Sequence, residues 1–241
     1  MNPLSKTDHR PWPIPAGPWI MKQVWRDLLF AHWPLPAATL RQQVPAPLQL
    51  DAFRGQAWIT IAPFHMSMRA RGLPTLPRMS RIPELNCRTY VTFGGKPGVF
   101  FFSLDAGSRP VVWGARRFYH LPYFYASMRM EHCGDSIASS SRRGTAVWRA
   151  TYRPVSEARP ALPGTIEHWL TERYCLYTVH QGRVHRGDIH HLPWPLHNAQ
   201  ADIAENRIAA AAGIPLPGSP AMVSFTREIE VLVWALYSVD Q

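Results

Sequence analysis

The chain has 241 residues, 46% of them hydrophobic and 12% aromatic, with 24 prolines and a formal net charge of +10. That length holds one large domain or two small ones with a well-buried core, and the aromatic and proline content favours a sheet-rich domain with many turns over a helical bundle. Nearly all the positive charge is arginine, scattered without a run longer than a pair, which argues against a nucleic-acid partner.

Residues 1–19, with Pro11, Pro13, Pro15 and Pro18, read as a flexible or surface-hugging arm with no apolar core of signal-peptide length. In MKQVWRDLLFAHW, Val24, Leu28 and Leu29 stand at helical spacing, which predicts a helix ended by Pro34 and Pro36; a second short helix is expected from Pro36. Gly55 marks a turn before a strand over Ala57 to Pro63. The segment from Glu84 to Phe93 alternates cleanly. Leu85, Cys87, Thr89, Val91 and Phe93 lie on one face, and Glu84, Asn86, Arg88, Tyr90 and Thr92 on the other. GGKPG, residues 94–98, is a turn, and VFFFSLDA completes a hairpin.

Further strands are expected near Tyr123 to Met130, Ser136 to Arg142, Thr145 to Tyr152, Tyr174 to Gln181, Arg183 to His191 and Met222 to Tyr237, with Gly182 as a turn. Thr165 is a candidate N-cap for a helix in PGTIEHWLTERY. The alanine-rich run from Pro195 to Gly213 reads as another helix, closed by a glycine cap. The expected architecture is β-rich α+β: a single, mostly antiparallel β domain over residues 20–241 with peripheral helices. Cys87, Cys133 and Cys175 are too widely spaced for a disulfide framework or zinc ribbon, and no stretch reaches the length of a membrane helix. A cytoplasmic protein with reduced thiols and no membrane association is expected.

The run DAGSRPVVWGARRFYHLPYF, Asp105 to Phe124, resembles the active-site segment of the acetoacetate decarboxylase family. Asp105, Arg116 and Pro122 match that frame, while the two places that follow, where the family carries lysines, hold Tyr123 and Phe124. The phrases WRDLLFAHWPLPAATLRQQVP, FRGQAWITIAPFHM, ELNCRTYV, GKPGVFFFSLDA, LTERYCLY and IHHLPWPL resemble the YqjF-like family, also known as domain of unknown function 2071. Together they cover the chain from about residue 22 to its end. Leu40, Arg41, Val44, Pro45 and Leu48 match a pattern common to both groups. The resemblance implies an acetoacetate decarboxylase-like cone or barrel around a cavity. It also makes Glu84 the counterpart of a strand glutamate that faces that cavity.

On this reading Glu84, Arg116 and Tyr123 are the catalytic candidates, and Asn86, Arg88 and His120 the ligand-binding ones. A carboxylate, an amide and a guanidinium on one strand face suit an anionic or carbonyl-bearing small molecule held in the barrel cavity. The other reading of the same alternation is a strand face turned to solvent. Arg116, if enclosed, needs a carboxylate such as Glu84 or a bound anion. Tyr123 cannot form the imine that an amine nucleophile forms, so decarboxylation through a Schiff base is excluded. Lys96 sits in a glycine-bounded turn expected to expose it, and cannot take over. His190 and His191 point to opposite faces of a strand, so no metal site is expected, and no cofactor is implied. Glu172 and Arg173 are read as tying a short helix to the sheet, or as contacting a ligand if that helix plugs the barrel mouth. No Gly-x-Ser-x-Gly elbow or phosphate loop is present. The function expected is a small-molecule binder or an enzyme without Schiff-base chemistry; the alternative is a non-catalytic interaction module, with a homodimer as one form of it.

Overall fold

The computed structural model describes residues 3–239. Fourteen strands and three helices follow one another as β1 (Met21–Leu35), α1 (Ala37–Arg41), β2 (Gln49–Leu50), β3 (Ala57–Ala70), β4 (Ile82–Phe93), β5 (Lys96–Ala106), α2 (Arg109–Phe118), β6 (Tyr123–Tyr125), β7 (Ser127–Cys133), β8 (Ser136–Arg143), β9 (Ala146–Pro154), α3 (Ile166–Thr171), β10 (Cys175–His180), β11 (Arg183–His190), β12 (His197–Asn206), β13 (Met222–Val233) and β14 (Tyr237–Ser238). All strands belong to one mainly antiparallel sheet, so the β-rich expectation holds. Seven of them run in the order β11, β10, β5, β4, β3, β1, β13, and the circuit closes where Ile189 and His190 of β11 pair with Val233 and Leu232 of β13. Strands β12, β9, β8 and β7 leave β13 as a wing, and the short strands β2, β6 and β14 add to β4, β5 and β11.

Period-two alternation gives each ring strand an inner and an outer face. Leu28, Phe30, Phe64, Phe101 and Leu104 belong to the core inside the ring. Leu29, Ala31, Ile59, Leu85 and Cys87 pack outside it, against Trp148, Tyr152 and Ile137 of the wing. Both faces of β4 are therefore buried.

The expected helix over MKQVWRDLLFAHW is instead β1, paired with β3 on one side and β13 on the other. Its register against β3 slips by one residue between Arg26 and Ala31, where Asp27 takes a left-handed φ of 55°. This bulge changes the phase of the alternation. Trp25 and Leu28, three residues apart, thereby face the same cavity, which is the spacing a helix would show. Asp27 holds the bulge in place: its carboxylate takes hydrogen bonds from His65 (3.4 Å) and His132 (3.0 Å), and its carbonyl one from Tyr152 (2.8 Å).

The alanine-rich segment is also corrected, to strand β12 followed by a single 3-10 turn over Ala210–Ala212. Ala199, Ala201 and Ile203 pack on the outer core while Asn198, Gln200 and Asp202 are exposed. Alternation outweighs the helix propensity of alanine here. Gly213 does cap that turn, at φ 76°. The β4–β5 turn is tighter than GGKPG implies, since Lys96 to Gly98 already belong to β5, and Ala126 separates β6 from β7. Helix α2 was not expected; its proline, Pro110, sits in the first turn, where no amide hydrogen bond is lost. Thr165 caps α3, accepting from the amide of His168 at 3.3 Å.

The N-terminal arm lies against the ring seam. Arg10 donates to the carbonyl of Ile189 (2.7 Å) and sits over the Tyr174 ring, Ile20 donates to the carbonyl of Val233 (2.9 Å), and Trp234 donates to that of Gly17 (2.6 Å). Among the described residues no helix is long and apolar enough to cross a membrane.

Candidate functional site

Inside the ring is a cavity of about 300 Å³, walled by the inner faces of β1, β3, β4 and β5 and covered by α2. Most of its wall is apolar, including Leu28, Phe30, Phe64, Phe101, Leu104 and Val111. Glu84, Asn86 and Arg88 enter it side by side from β4, where the alternation that sends Leu85 and Cys87 outward turns these three inward. All three are at least nine-tenths buried.

Their polar atoms are incompletely satisfied from within the protein. Tyr123, on β6, donates its hydroxyl to Glu84 Oε1 at 3.0 Å, leaving Oε2 without a partner. Asn86 Oδ1 and the Nε and Nη2 of Arg88 are also unpartnered. No carboxylate lies within ion-pairing distance of Arg88 among the described residues; its guanidinium rests over the rings of Phe30 (5.1 Å) and Tyr90 (5.9 Å). Buried polar groups in folded proteins are normally paired, so this concentration of open donors and acceptors around one space is a mark of a ligand site.

Burial pushes the Glu84 carboxyl up to about 8, against the opposing hydrogen bond of Tyr123 and the nearby Asn86 amide. Near neutral pH it is chiefly protonated. Tyr123 is pushed well above the ordinary phenol value, first by its own burial and then by Glu84. The pair therefore holds two protons and no charge. His32, behind the site and hydrogen-bonded to Thr60 at 2.8 Å, is driven down to about 3 by burial and then by Arg88. The net charge left in this end of the cavity is the guanidinium of Arg88.

Arg173 also reaches the cavity, from the residues just after α3. It is tied to Asp51 (2.6 Å) and to the carbonyl of Trp169 (2.7 Å), while its Nη2 is open. The tie between helix and sheet read from the sequence is present, and Arg173 also contributes to the cavity wall, the other role its place after the helix left open.

Arg116 and His120 stand elsewhere. Val111 and Ala115 are the inward positions of α2, so the helical period turns Arg116 away from them and it is exposed, its guanidinium over Phe124 at 5.7 Å. The ion pair between Glu84 and Arg116 is not formed. His120 takes a left-handed φ of 52° and stacks on His180 at 3.8 Å. Together with Arg116 it lines a separate open groove, whose wall includes neither Glu84 nor Tyr123. The lysines are outside the cavity as well: Lys22 pairs with Glu230, Lys96 lies near Trp12, and Lys6 is exposed. His190 Nε2 lies 2.8 Å from the carbonyl of Pro3, and the single N–H of a neutral His191 ring can donate to the carbonyl of either Leu192 or Arg173. Among the described residues no group of three histidine, cysteine, aspartate or glutamate side chains is arranged to hold a metal.

Residues 22–230 match the model of the DUF2071 family, described as an uncharacterized conserved protein. The uncharacterized protein YqjF of Bacillus subtilis (strain 168) is 49% identical over 227 residues, covering 92% of this chain and 94% of that protein. Among solved structures, acetoacetate decarboxylase from Legionella pneumophila superposes with a TM-score of 0.63 at 11% identity, over 97% of this chain and 93% of that one. The enduracididine biosynthesis enzyme MppR gives 0.64 at 10% identity, over 93% and 89%. At such identities the likeness concerns the fold.

Proposed function

The chain belongs to the DUF2071 family and has the acetoacetate decarboxylase-like fold, and we propose that its ring cavity binds a small organic anion, with Arg88 as the counter-charge. The observation that carries this reading is the unpaired Arg88 guanidinium at the buried end of a largely apolar cavity, beside a neutral Glu84. A buried cation without a partner is costly, and a bound carboxylate offsets that cost. Protonated Glu84 then donates to an oxygen of the ligand, while the open Asn86 Oδ1 can only accept, from a donor on the ligand or a water. A carboxylic acid held neutral can also give its proton to a carbonyl oxygen, with Tyr123 steadying the other carboxyl oxygen, so proton transfer is the chemistry open to an enzyme built this way. Schiff-base chemistry is not, because no lysine lines the cavity. MppR has been solved in complex with pyruvate, which makes short 2-oxo acids the first compounds to try.

The test is a thermal-shift and calorimetric comparison of the wild type and Arg88→Met against 2-oxo acids, 2-hydroxy acids and their neutral esters. An acid at 100 times its Kd adds about 2.7 kcal/mol, which raises Tm by about 5–10 °C at this chain length. We expect that shift for acids alone and its loss in Arg88→Met. Equal shifts in both proteins, or none with any acid, would overturn the reading.

A second reading, an interaction module, draws on Trp113, on the outer side of α2, and Phe118, at the rim of the cavity opening, which form an edge-to-face pair and are 65% and 60% exposed. Sedimentation velocity decides it: a dimer lost in Trp113→Ser favours this reading, and a monomer at all concentrations removes the homodimer.

A further inference from the structure

The strand register acts as a ruler along the cavity. On β3, Ala62 lies opposite Asn86 and Phe64 opposite Glu84, while Met66 pairs with Trp25 and Met68 with Gln23 of β1. Levels along the strands therefore run from Arg88 through Asn86 and Glu84 to Trp25, then Gln23 and Met68, and last Met21. From Ala62 to Met68 is six residues, about 20 Å at about 3.3 Å per residue. Exposure changes along the same line. Arg88, Asn86, Glu84, Phe30 and Phe64 are buried, whereas Met21, Gln23, Met68 and Met79 are part-exposed and Phe118 is exposed. All of these line the one cavity.

The cavity is thus polarised lengthwise, with its cation at the closed end and an open end walled by thioethers and an aromatic ring. Short acids fill the closed end alone and leave that wall uncovered. Methionine side chains suit a flexible apolar chain because they adapt their shape to it.

We propose that the ligand is a straight-chain carboxylic acid, its carboxylate on Arg88 and its alkyl tail lying along β1 and β3 toward the opening between Met21, Met68 and Met79. This rests on the anion-binding reading above and narrows its ligand. Gln23 does not compete for the tail, since its amide oxygen is taken by Trp25 Nε1 at 2.7 Å.

The experiment is isothermal calorimetry of the full chain with saturated acids from butanoate to octadecanoate, run beside primary alcohols of the same lengths. Affinity is expected to rise about fourfold per added methylene, the equivalent of about 0.8 kcal/mol, and to level off once the tail reaches the opening. In Met68→Trp, which fills the outer stretch, the levelling-off comes at a shorter chain. Alcohols are expected to bind at least tenfold more weakly than the acids. Short acids that bind through Arg88 with no gain on lengthening would overturn this inference and leave the anion reading standing. No binding by any acid would overturn both. Alcohols that match the acids at every length would overturn the head-group assignment to Arg88.

Discussion

Glu84 and Arg88 sit four residues apart on one strand face, yet the surrounding protein neutralises the first and leaves the second charged. The Glu84 carboxyl moves from 4.5 to about 8 on folding. Between those values the folded state keeps a proton that the unfolded state has released, so stability falls as pH rises, by at most about 1.4 kcal/mol per pH unit. His32 and His190, kept neutral at about 3 and about 4, act with the opposite sign below 6.5, where the unfolded chain takes up the protons. We therefore expect the urea midpoint of the wild type to fall from pH 6.5 to pH 8, and that of Glu84→Gln to stay level over the same range. Arg88→Met is expected to gain about 1–3 kcal/mol in urea unfolding while losing anion binding, since an unpaired buried charge is exchanged for a packed side chain. A loss of stability in that variant would mean that Arg88 is a structural residue. That Glu84, Asn86, Arg88 and Tyr123 share one cavity was legible in the sequence through alternation and family resemblance. Arg116 and His120 were misplaced because both lie in segments without a period-two pattern, one on an unexpected helix and the other at a left-handed residue.

At the level of elements, the bulge in β1 decides what the cavity contains. It lets a single strand send Met21, Gln23 and Trp25 inward before Asp27 and Leu28 and Phe30 inward after it. Asp27→Ala keeps a Cβ in the left-handed region and loses the two hydrogen bonds of the carboxylate, so it is expected to cost about 2–3 kcal/mol in chemical denaturation, whereas Asp27→Asn, which tolerates that φ and keeps an acceptor, costs under about 1 kcal/mol. Equal costs would mean that the His65 and His132 bonds, and not the backbone conformation, hold the bulge. The bulge is also what hid β1 from the sequence, because a phase change within an alternating strand imitates the three-residue step of a helix. For β12 the obstacle was composition: alanines on the half-buried face read as helix formers until the wing supplies their packing partners.

Across the whole molecule, closure of the ring depends on a short seam that the N-terminal arm covers. Arg10, Gly17 and Ile20 all bond to residues at or beside the β11–β13 pairing. Arg10→Ala is expected to lower stability by about 2–3 kcal/mol and to speed amide exchange in β11 and the end of β13 more than in β3. Uniform exchange over all strands would show the arm to be a general contributor to stability and not a clasp on the seam. The fold class was legible because the family resemblance spans most of the chain, and the β-rich composition agrees with it. The wing was not, since pairings far apart in sequence, such as β12 with β9, leave no local mark.

The two buried faces of β4 have a practical consequence for protein engineering. Residues 85, 87 and 91 anchor the strand to the outer cores, and residues 84, 86 and 88 face the cavity alone. A combinatorial library confined to those three even positions can therefore change what the cavity wall presents without disturbing the anchors, which makes this strand a cassette into which binding can be selected.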